Sequence, residues 1–597
     1  MDEVKADVAA LLLDYLKLEK VEFIFGVPGG GLIHMLHALY EAEDGPRYVV
    51  CRQETGAAYI ADGFYRASGK LGAVMVTTGP GATNALTGVM NAEAGGSAML
   101  LLTGEIAEEY NGMGYLQEGV DGKLDVNDVY KASVAYSAVL SSEENAQRLT
   151  EAALRTALDV PHHAAHLSLP VDITKAKQAD IDMPKHPFRY RSDPPVAETK
   201  KVTQALELMS RAKRPLIMLG NGCREPLRDP GTQSALTQLV EARGIPVMTS
   251  ADGKGVFPED HDLSLRAYGI ANAIWPFYWM SQTDPDYDAL MVIGSGLGEL
   301  ATDKWKPLIR PNGPIIQVDA NARIIARDFP VDLGITGEAG DFIRQLAKQS
   351  GTALPPQAEV NARKAKIAQI KKEYSPFDSP GDYFSQAGPL HPAALCRVMQ
   401  EELPDDNTIV MLDAGNCVGW GVHYLTAKPG FEVHSSLDMG PMGFAVGAVV
   451  GAKLARPDAA CIAITGDGSF MMQGAEISTA QRHGIGAIWI VLHDNDLSMV
   501  SQGMEHFMRG DIKKWQDMFS LGQPDLAKFA EGLGAATATV SNPTELRAAL
   551  QNAQNSNRPQ VIVAEINRTA QPPYYNQLYV PSKEEARVIT TLGDNNG

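Results

Sequence analysis

The chain of 597 residues lacks the long apolar runs of membrane proteins. No stretch reaches the roughly 18 consecutive apolar residues that a membrane-spanning helix needs. The opening segment, MDEVKADVAALLLDYLKLEK, places acidic residues before its apolar stretch. It has neither the basic start nor the small-residue cleavage site of a signal peptide. We therefore expect a cytoplasmic protein without a membrane partner.

Cysteine and positive charge are scarce as well. The five cysteines are scattered singly, without a CxxC pair, which is typical of reduced thiols and argues against a zinc site. The 52 basic residues face 72 acidic ones, and the net charge of −20 would repel phosphate backbones and anionic lipid surfaces. The sequence therefore predicts no nucleic-acid partner.

The residues that are present are those of a large folded protein. Apolar residues make up 45% and charged residues 21%, which is enough apolar material for several cores. Short apolar runs alternate with amphipathic helical stretches, a pattern that indicates parallel sheets flanked by helices. We predict an α/β fold of three doubly wound parallel-sheet domains. The predicted domains cover 1–180, 195–350 and 375–575, with linkers over 178–199 and 351–388 and a tail over 576–597.

The segment ITGDGSF at 464–470 is the strongest local signal of chemistry. It reads as a buried strand, a tight turn and the start of a helix, and such strand ends and helix N-termini bind phosphate. Asp467 could lie beside a phosphate only with a cation between them, and Mg²⁺ prefers carboxylate and phosphate oxygens. The next apolar strand ends in Asp494, Asn495 and Asp496, which offers the second oxygen donor. Each motif alone is often a plain turn, but their pairing favours a metal–diphosphate site.

These two motifs together resemble the cofactor motif of the thiamine diphosphate-dependent enzymes, in which GDG is followed one helix and one strand later by Asn or Asp. The resemblance implies thiamine diphosphate and Mg²⁺ as cofactors. The metal ligands would be Asp467, Asp494 and the backbone carbonyl of Asp496, with Asn495 as an alternative to Asp494. Further implied cofactor contacts in this part of the chain are Gly415, Asn416, Gly440, Met442, Gly468, Ser469, Leu497, Ser498 and Met499.

The segment SSLDMGPMGFAVG at 435–447 resembles the part of these enzymes that grips the aminopyrimidine ring. Met442 corresponds to the bulky apolar residue that bends the cofactor, and the carbonyl of Gly440 would accept from its amino group. The resemblance implies a pyrimidine-binding first domain, a Rossmann-like middle domain and a diphosphate-binding third domain.

The first domain carries a second set of matches. RQETGAAYIADGFYRASGK at 52–70 places Glu54 at the glutamate that shares a proton with the pyrimidine ring, and TTGPGATN at 77–84 implies contacts from Pro80 and Asn84. Gln117 and Lys131 correspond to a Gln and a Lys near the active site of the acetolactate synthase branch, and we predict Glu54 and Gln117 as catalytic residues. Because the family's sites form between subunits, the resemblance implies a homodimer or homotetramer.

The resemblance is closest to the acetolactate synthase branch and covers nearly the whole chain. Two departures stand out. Gly296 replaces an arginine that lies near flavin in that branch, which puts bound FAD in doubt. Gly503 replaces a tryptophan that shapes the acceptor pocket, so a preference for 2-oxobutyrate is not supported.

The implied activity is carboligation of small carbonyl compounds. A pyruvate-like 2-oxo acid would be decarboxylated and the resulting enamine added to a second carbonyl compound. A non-ligating 2-oxo acid decarboxylase or other C–C lyase, a flavin-coupled oxidase and a catalytically silent protein remain alternatives. The aromatic segment QPPYYNQLYVP at 571–581 is interpreted either as a cover of the active site or as a packing arm.

Overall fold

The computed structural model describes residues 7–121, 124–177, 183–281, 285–349, 351–352, 354–507, 513–554 and 556–578. Within these ranges three six-stranded sheets form, and every strand pair in them is parallel. This confirms the predicted α/β fold with three parallel-sheet units. The domain boundaries stay a prediction, and the tail beyond Leu578 lies outside the described residues.

The first sheet has the strand order 2-1-3-4-6-5 when its strands are counted along the chain. Its strands are Phe23–Gly26, Arg47–Val50, Gly72–Val76, Met99–Glu105, Tyr136–Val139 and Ala164–Pro170. The accompanying α-helices are Val8–Leu18, Ile33–Glu41, Glu54–Ser68, Pro80–Ala94, Val126–Lys131, Glu143–Leu158 and Val171–Lys175.

The middle sheet has a different order, 3-2-1-4-5-6, which is the order of dinucleotide-binding folds. Its strands are Pro215–Leu219, Val247–Ser250, Ser264–Tyr268, Ala289–Ile293, Ile315–Asp319 and Leu333–Thr336. The α-helices of this region are Thr199–Arg211, Pro230–Arg243, Ile274–Met280, Ala339–Lys348 and Gln357–Glu373.

The third sheet repeats the order of the first, 2-1-3-4-6-5. Its strands are Thr408–Leu412, Phe431–Ser435, Ala460–Gly466, Ile488–His493, Ala536–Val540 and Gln560–Glu565. The α-helices are Pro380–Tyr383, Pro392–Glu402, Asn416–Tyr424, Phe444–Ala455, Asp467–Gln473, Ile477–His483, Ser498–Phe507, Leu526–Gly532, Pro543–Ala553 and Tyr575–Leu578.

The central strands of each sheet are buried on both faces. All five residues are buried in each of Gly72–Val76, Pro215–Leu219 and Thr408–Leu412. Helices cover both sides of a parallel sheet, so such strands read as unbroken apolar runs rather than as an alternation.

The segment 351–388 is not the plain linker that the sequence suggested. It contains the 17-residue helix Gln357–Glu373. Arg363 on this helix is 4% exposed, and its guanidinium donates to the carbonyls of Ala212, Lys213 and Arg243. The helix therefore belongs to the middle unit.

The first and third units of the chain pack tightly through two helices, Glu54–Ser68 and Phe444–Ala455. A Cβ on Gly451 would lie 1.9 Å from the carbonyl oxygen of Ile60, and one on Gly63 would lie 2.0 Å from that of Ala448. Only glycine allows this approach of the two backbones. In the described part of the chain, no helix is long and apolar enough to cross a bilayer.

Candidate active site

Three turns meet at one edge of the third sheet. The first, third and fourth strands of that sheet are neighbours, and the segments 413–416, 467–469 and 494–498 follow their carboxyl ends. The tight turn predicted at 467–469 is wrong, because these residues already form the first turn of the helix Asp467–Gln473. The strand order reverses between the first and third strands, and ligands of open α/β sheets bind at such a point. The fold therefore brings the two acidic motifs and the turn after the first strand together.

A cavity of about 340 Å³ lies among these turns. All twelve residues of the third domain that the sequence assigned to the cofactor or the metal line it: Gly415, Asn416, Gly440, Met442, Asp467, Gly468, Ser469, Asp494, Asp496, Leu497, Ser498 and Met499. These residues are spread over 85 positions of sequence, from 415 to 499, so their convergence on one cavity comes from the fold.

Asp467 joins the two acidic turns. It is 2% exposed, and its Oδ1 accepts from the backbone nitrogen of Gly468 at 2.8 Å. Its Oδ2 accepts from the backbone nitrogens of Asn495 at 2.8 Å and Asp494 at 3.2 Å. The same oxygen lies 3.2 Å from His493 Nδ1, and this hydrogen bond raises the pKa of His493.

Asp494 and Asn495 differ in their relation to the cavity. Asp494 lines it and accepts from the hydroxyl of Ser498, and burial raises the pKa of Asp494 to about 6 despite that hydrogen bond. Asn495 is not among the described residues that line the cavity. Its φ is 61°, in the left-handed region, and its buried side-chain oxygen has no hydrogen-bond partner in the part of the chain that the structure describes.

Asp496 presents one bound and one free oxygen. Its Oδ2 accepts from Ser501 and from the guanidinium of Arg568, whose Nη2 lies 2.8 Å away. Its Oδ1 is buried and has no hydrogen-bond partner among the described residues. The side chain is 5% exposed and lines the cavity.

These groups fit Mg²⁺ and a diphosphate. Buried carboxylates that crowd one another disfavour their own charges, and a divalent cation with hard-oxygen preference would relieve this. A Cβ at Gly415 or Gly466 would meet no atom within 4 Å, so open space adjoins the backbone of both turns. No group of three or more His, Cys, Asp or Glu side chains suited to a metal occurs in the described residues. The Mg²⁺ ligands expected here differ from such a group, because they combine two carboxylates with a backbone carbonyl and phosphate oxygens.

Met442 reaches the floor of the cavity. Its terminal methyl lies 3.2 Å from a Cβ built on Gly468, and a methyl of Leu497 lies 2.8 Å from the same position. A side chain at position 468 would therefore collide with both. Gly440, two residues before Met442, has a φ of 64° and so takes a left-handed conformation that favours glycine.

Asp413 supports the site although the sequence analysis did not single it out. Its carboxylate is fully buried, and burial raises its pKa to about 6. One oxygen accepts from the backbone nitrogen of Gly443 at 2.8 Å, and the other accepts from Ala445 at 3.2 Å and Thr465 at 3.1 Å. It therefore fixes the start of the helix behind Met442. The only sequence signal was its place directly after an apolar strand.

The four site residues predicted in the first domain form a separate cluster. Glu54 is 9% exposed and accepts from Asn84 Nδ2 at 3.1 Å, and Pro80 begins the helix that carries Asn84. Gln117 Oε1 accepts from Thr78 at 3.3 Å. No residue of the first domain is among the described residues that line the cavity. One chain thus holds both predicted groups, but those of the first domain do not line the cavity.

Lys131 and Gly296 do not line the cavity. Lys131 is exposed and pairs with Asp128 at 2.9 Å. Gly296 borders a second cavity of about 440 Å³, which shares Leu300 and Leu437 with the first, and Arg327 Nη2 donates to the Gly296 carbonyl at 3.3 Å. Position 296 lacks the arginine that lies near flavin in the acetolactate synthase branch. The carboxylates of Asp252, Asp319 and Asp438 line the same cavity, so no role is assigned to FAD.

Part of the cavity wall is apolar. Ile270 and Leu300 of the middle domain and Tyr574 and Leu578 of the aromatic C-terminal segment line it. Tyr574 is fully buried. The described part of that segment therefore packs against the cavity, and residues 579–581 lie outside the described residues.

Comparison with known proteins identifies the family. Three family models match: the N-terminal TPP binding domain of thiamine pyrophosphate enzymes at 6–124, their central domain at 202–346 and their C-terminal TPP binding domain at 413–564. A Mycobacterium tuberculosis protein assigned as an acetolactate synthase large subunit is 30% identical over 567 residues, which cover 92% of this chain and 96% of that protein.

Two further relatives are acetolactate synthase large subunits. That of Haemophilus influenzae is 27% identical over 576 residues, 92% of each chain. That of Lactococcus lactis is 26% identical over 536 residues, 90% of this chain and 88% of that protein. The chain therefore belongs to the thiamine pyrophosphate enzyme family and is an acetolactate synthase-like, thiamine diphosphate-dependent enzyme.

Proposed function

We propose that this enzyme uses thiamine diphosphate and Mg²⁺ to decarboxylate a pyruvate-like 2-oxo acid and to join the remaining fragment to a second carbonyl compound. The observation that carries the proposal is the single cavity lined by all twelve predicted residues of the third domain. Its acidic segments suit a metal–diphosphate group, and its apolar residues suit small carbonyl compounds. The acidic net charge and scattered cysteines support a cytoplasmic small-molecule enzyme.

The metal would be held by the carboxylates of Asp467 and Asp494 and by the backbone carbonyl of Asp496. The hydrogen bond from the Asp494 backbone nitrogen to Asp467 Oδ2 supports this assignment, because it holds the two acidic segments next to each other. Gly468 and Ser469 lie in the first turn of the helix Asp467–Gln473, and the N–H groups at a helix N-terminus suit diphosphate oxygens. Leu497, Ser498 and Met499 would border the same diphosphate.

The proton chemistry would come from two parts of the chain. When bound, thiamine diphosphate supplies the electron sink that decarboxylation of a 2-oxo acid requires. Glu54 would hold a proton at N1′ of the pyrimidine ring, and the carbonyl of Gly440 would accept from its 4′-amino group. Met442 would hold the ring system bent, and Gln117 would border the reacting carbonyl.

Glu54 would have to come from a second copy of the chain. In one chain the carboxylate of Glu54 accepts a hydrogen bond from Asn84 and does not line the cavity. The surface next to Gln117 is also unusually apolar, with Met113 72% and Leu116 81% exposed. Exposed apolar side chains beside catalytic groups are typical of surfaces that a partner covers. We therefore infer a homodimer, or a homotetramer built from such dimers, with cavities between subunits.

Product analysis tests the proposed activity. The full-length protein is incubated with thiamine diphosphate, Mg²⁺ and a matrix of 2-oxo acids and aldehydes, and the products are identified by mass spectrometry. A hydroxyketone formed with release of CO₂ is the expected product. Aldehyde as the sole product would instead identify a decarboxylase, and no product from any pair would contradict both.

A further inference from the structure

Gln502 connects three segments that border the cavity. It lies on the helix Ser498–Phe507 and is 7% exposed. Its Oε1 accepts from Asn416 Nδ2 at 3.1 Å, and its Nε2 donates to the backbone carbonyls of Arg568 and Ala570, both at 3.1 Å. The side chain of Gln502 thus connects the segment that follows the first strand of the third sheet with the segment that follows its last strand.

The direction of these hydrogen bonds is set by the two carbonyls. A backbone carbonyl can only accept, so the NH₂ group of Gln502 must face Arg568 and Ala570. Its oxygen must then face the NH₂ group of Asn416. The remaining Asn416 oxygen needs a donor, and the hydroxyl of Tyr574 is that donor. The orientation of every amide in this network therefore follows from the backbone.

The C-terminal segment Asn567–Leu578 is anchored at both ends. Near its start, Arg568 binds Asp496, one of the proposed metal-site residues, at 2.8 Å. Near its end, Gln577 accepts from the backbone nitrogen of Ala271 at 2.9 Å and donates to the carbonyl of Gly269 at 3.2 Å, both in the middle domain. The segment therefore crosses from the metal turn to the middle domain.

We propose that Gln502 is a positioning residue that couples formation of the cofactor cavity to the seating of segment Asn567–Leu578 against it. It acts through Asn416 and the backbone at 568 and 570 and touches no reacting atom. Without the side-chain amide of Gln502, two buried carbonyls lose their donor and the NH₂ group of Asn416 loses its acceptor. The inference rests on the proposed function, because it treats the cavity as the cofactor site.

The test uses two variants of the full-length protein and one control. Gln502→Glu keeps the shape of the side chain but turns an acceptor toward two carbonyls. Tyr574→Phe removes only the hydroxyl that donates to Asn416. The control, Gln238→Glu, makes the same change on an exposed helix face of the middle domain. There the NH₂ group of Gln238 donates to the hydroxyl of Ser234, one turn away on the same helix.

Two quantities are measured for each protein. The first is the affinity for thiamine diphosphate at saturating Mg²⁺, by calorimetric titration. The second is the rate of protease cleavage within Asn567–Leu578, followed by mass spectrometry with and without the cofactor. A purely structural role would change global stability but would not link these two quantities, so the melting temperature is recorded as well.

Both quantities should change together. In the wild type and in Gln238→Glu, cofactor should slow cleavage of the segment. In Gln502→Glu, cofactor affinity should fall about tenfold or more, as expected for buried groups left without partners, and cleavage should be fast with or without cofactor. Tyr574→Phe should lie between these results, and it carries the comparison if Gln502→Glu does not fold.

Two results would overturn the proposed coupling through Gln502, and a third would overturn the proposed function. A variant of Gln502 with wild-type cofactor affinity would overturn the coupling, as would one that loses affinity while the segment stays protected. A wild-type protein that binds no thiamine diphosphate would overturn the proposed function itself.

Discussion

Asn84 and Glu54 are joined by a 3.1 Å hydrogen bond from Nδ2 to Oε2, in a cluster that shares no residue with the cavity around Asp467. The Glu54 cluster would supply the proton-exchanging carboxyl group, and the cavity would hold the metal and the diphosphate. Neither cluster alone has all of the groups that the proposed chemistry needs. The bond also keeps the Glu54 side chain in one orientation at the start of its helix. A second copy of the chain that docks this cluster onto the cavity would complete the site.

Glu54→Gln should lower turnover while leaving cofactor binding nearly unchanged. The amide keeps the size of the side chain and a hydrogen-bond oxygen but cannot exchange a proton with the pyrimidine ring. A loss of about a hundredfold or more is expected for removal of a general acid–base group. Steady-state rates and cofactor titration measure the two effects, with Glu144→Gln on an exposed helix face as the control. Equal turnover in both variants would remove Glu54 from the mechanism.

Substitutions in the second acidic turn should distinguish Asp494 from Asn495 as the metal ligand. Asp494→Ala should weaken binding of thiamine diphosphate with Mg²⁺, whereas Asp494→Asn should retain most of it because a side-chain oxygen remains. Asn495→Gly should bind normally, since glycine tolerates the φ of 61° at that position and removes only the side chain. Titration with Mg²⁺ present measures all three. Loss of binding in Asn495→Gly alone would transfer the ligand role to Asn495.

His166 should make the protein less stable in acid. Its side chain is fully buried between Thr103 and Ser137, and burial lowers its pKa from 6.5 to about 3. Between these two values the unfolded chain binds a proton that the folded chain does not, so the free energy of unfolding falls as pH falls. The slope for one such group is at most about 1.4 kcal/mol per pH unit.

The measurement for His166 compares melting temperatures at pH 7 and pH 5. His166→Gln should be less stable than the wild type at pH 7, because a packed ring is lost. Its further loss on acidification should be smaller than that of the wild type. Identical acid losses in the two proteins would show that His166 does not carry this part of the pH dependence.

The central strands could be predicted from the sequence, but most edge strands could not. Strands buried on both faces, such as Thr408–Leu412, read as continuous apolar runs. Five strands lack a continuous apolar run, and each lies at an edge of its sheet: Tyr136–Val139, Ser264–Tyr268, Leu333–Thr336, Phe431–Ser435 and Ala536–Val540. Their sequences mix polar and apolar residues.

One edge strand shows why such patterns mislead. Ser264–Tyr268 has the sequence SLRAY and is nevertheless buried throughout. Its Arg266 is 5% exposed and lies 3.5 Å from Glu259, which also pairs with Lys254 at 2.6 Å. Buried charges persist where they are paired. A pairing of this kind depends on tertiary contacts, which a pattern of single residues does not reveal.

The convergence of the proposed cofactor-binding segments on one cavity was predictable, because each directly follows an apolar strand and parallel strands bring their carboxyl ends to one edge. The supporting network was not. Tyr574 and Asn416 are 158 positions apart in sequence, and neither position carries a motif that names the other. Gln502 lies in a helix among ordinary polar residues. Such contacts follow from the packing of the finished fold.

Mixing two inactive variants tests whether Glu54 of one subunit acts with Asp467 of the other. Glu54→Gln and Asp467→Ala chains are coexpressed with different affinity tags, and the doubly tagged dimers are isolated. If Glu54 and Asp467 act across subunits, each mixed dimer holds one site with both groups intact and one site with neither. These dimers should then show about half of the wild-type activity per dimer. Mixed dimers as inactive as either parent would contradict a site formed between subunits, because both groups would then have to act within one chain.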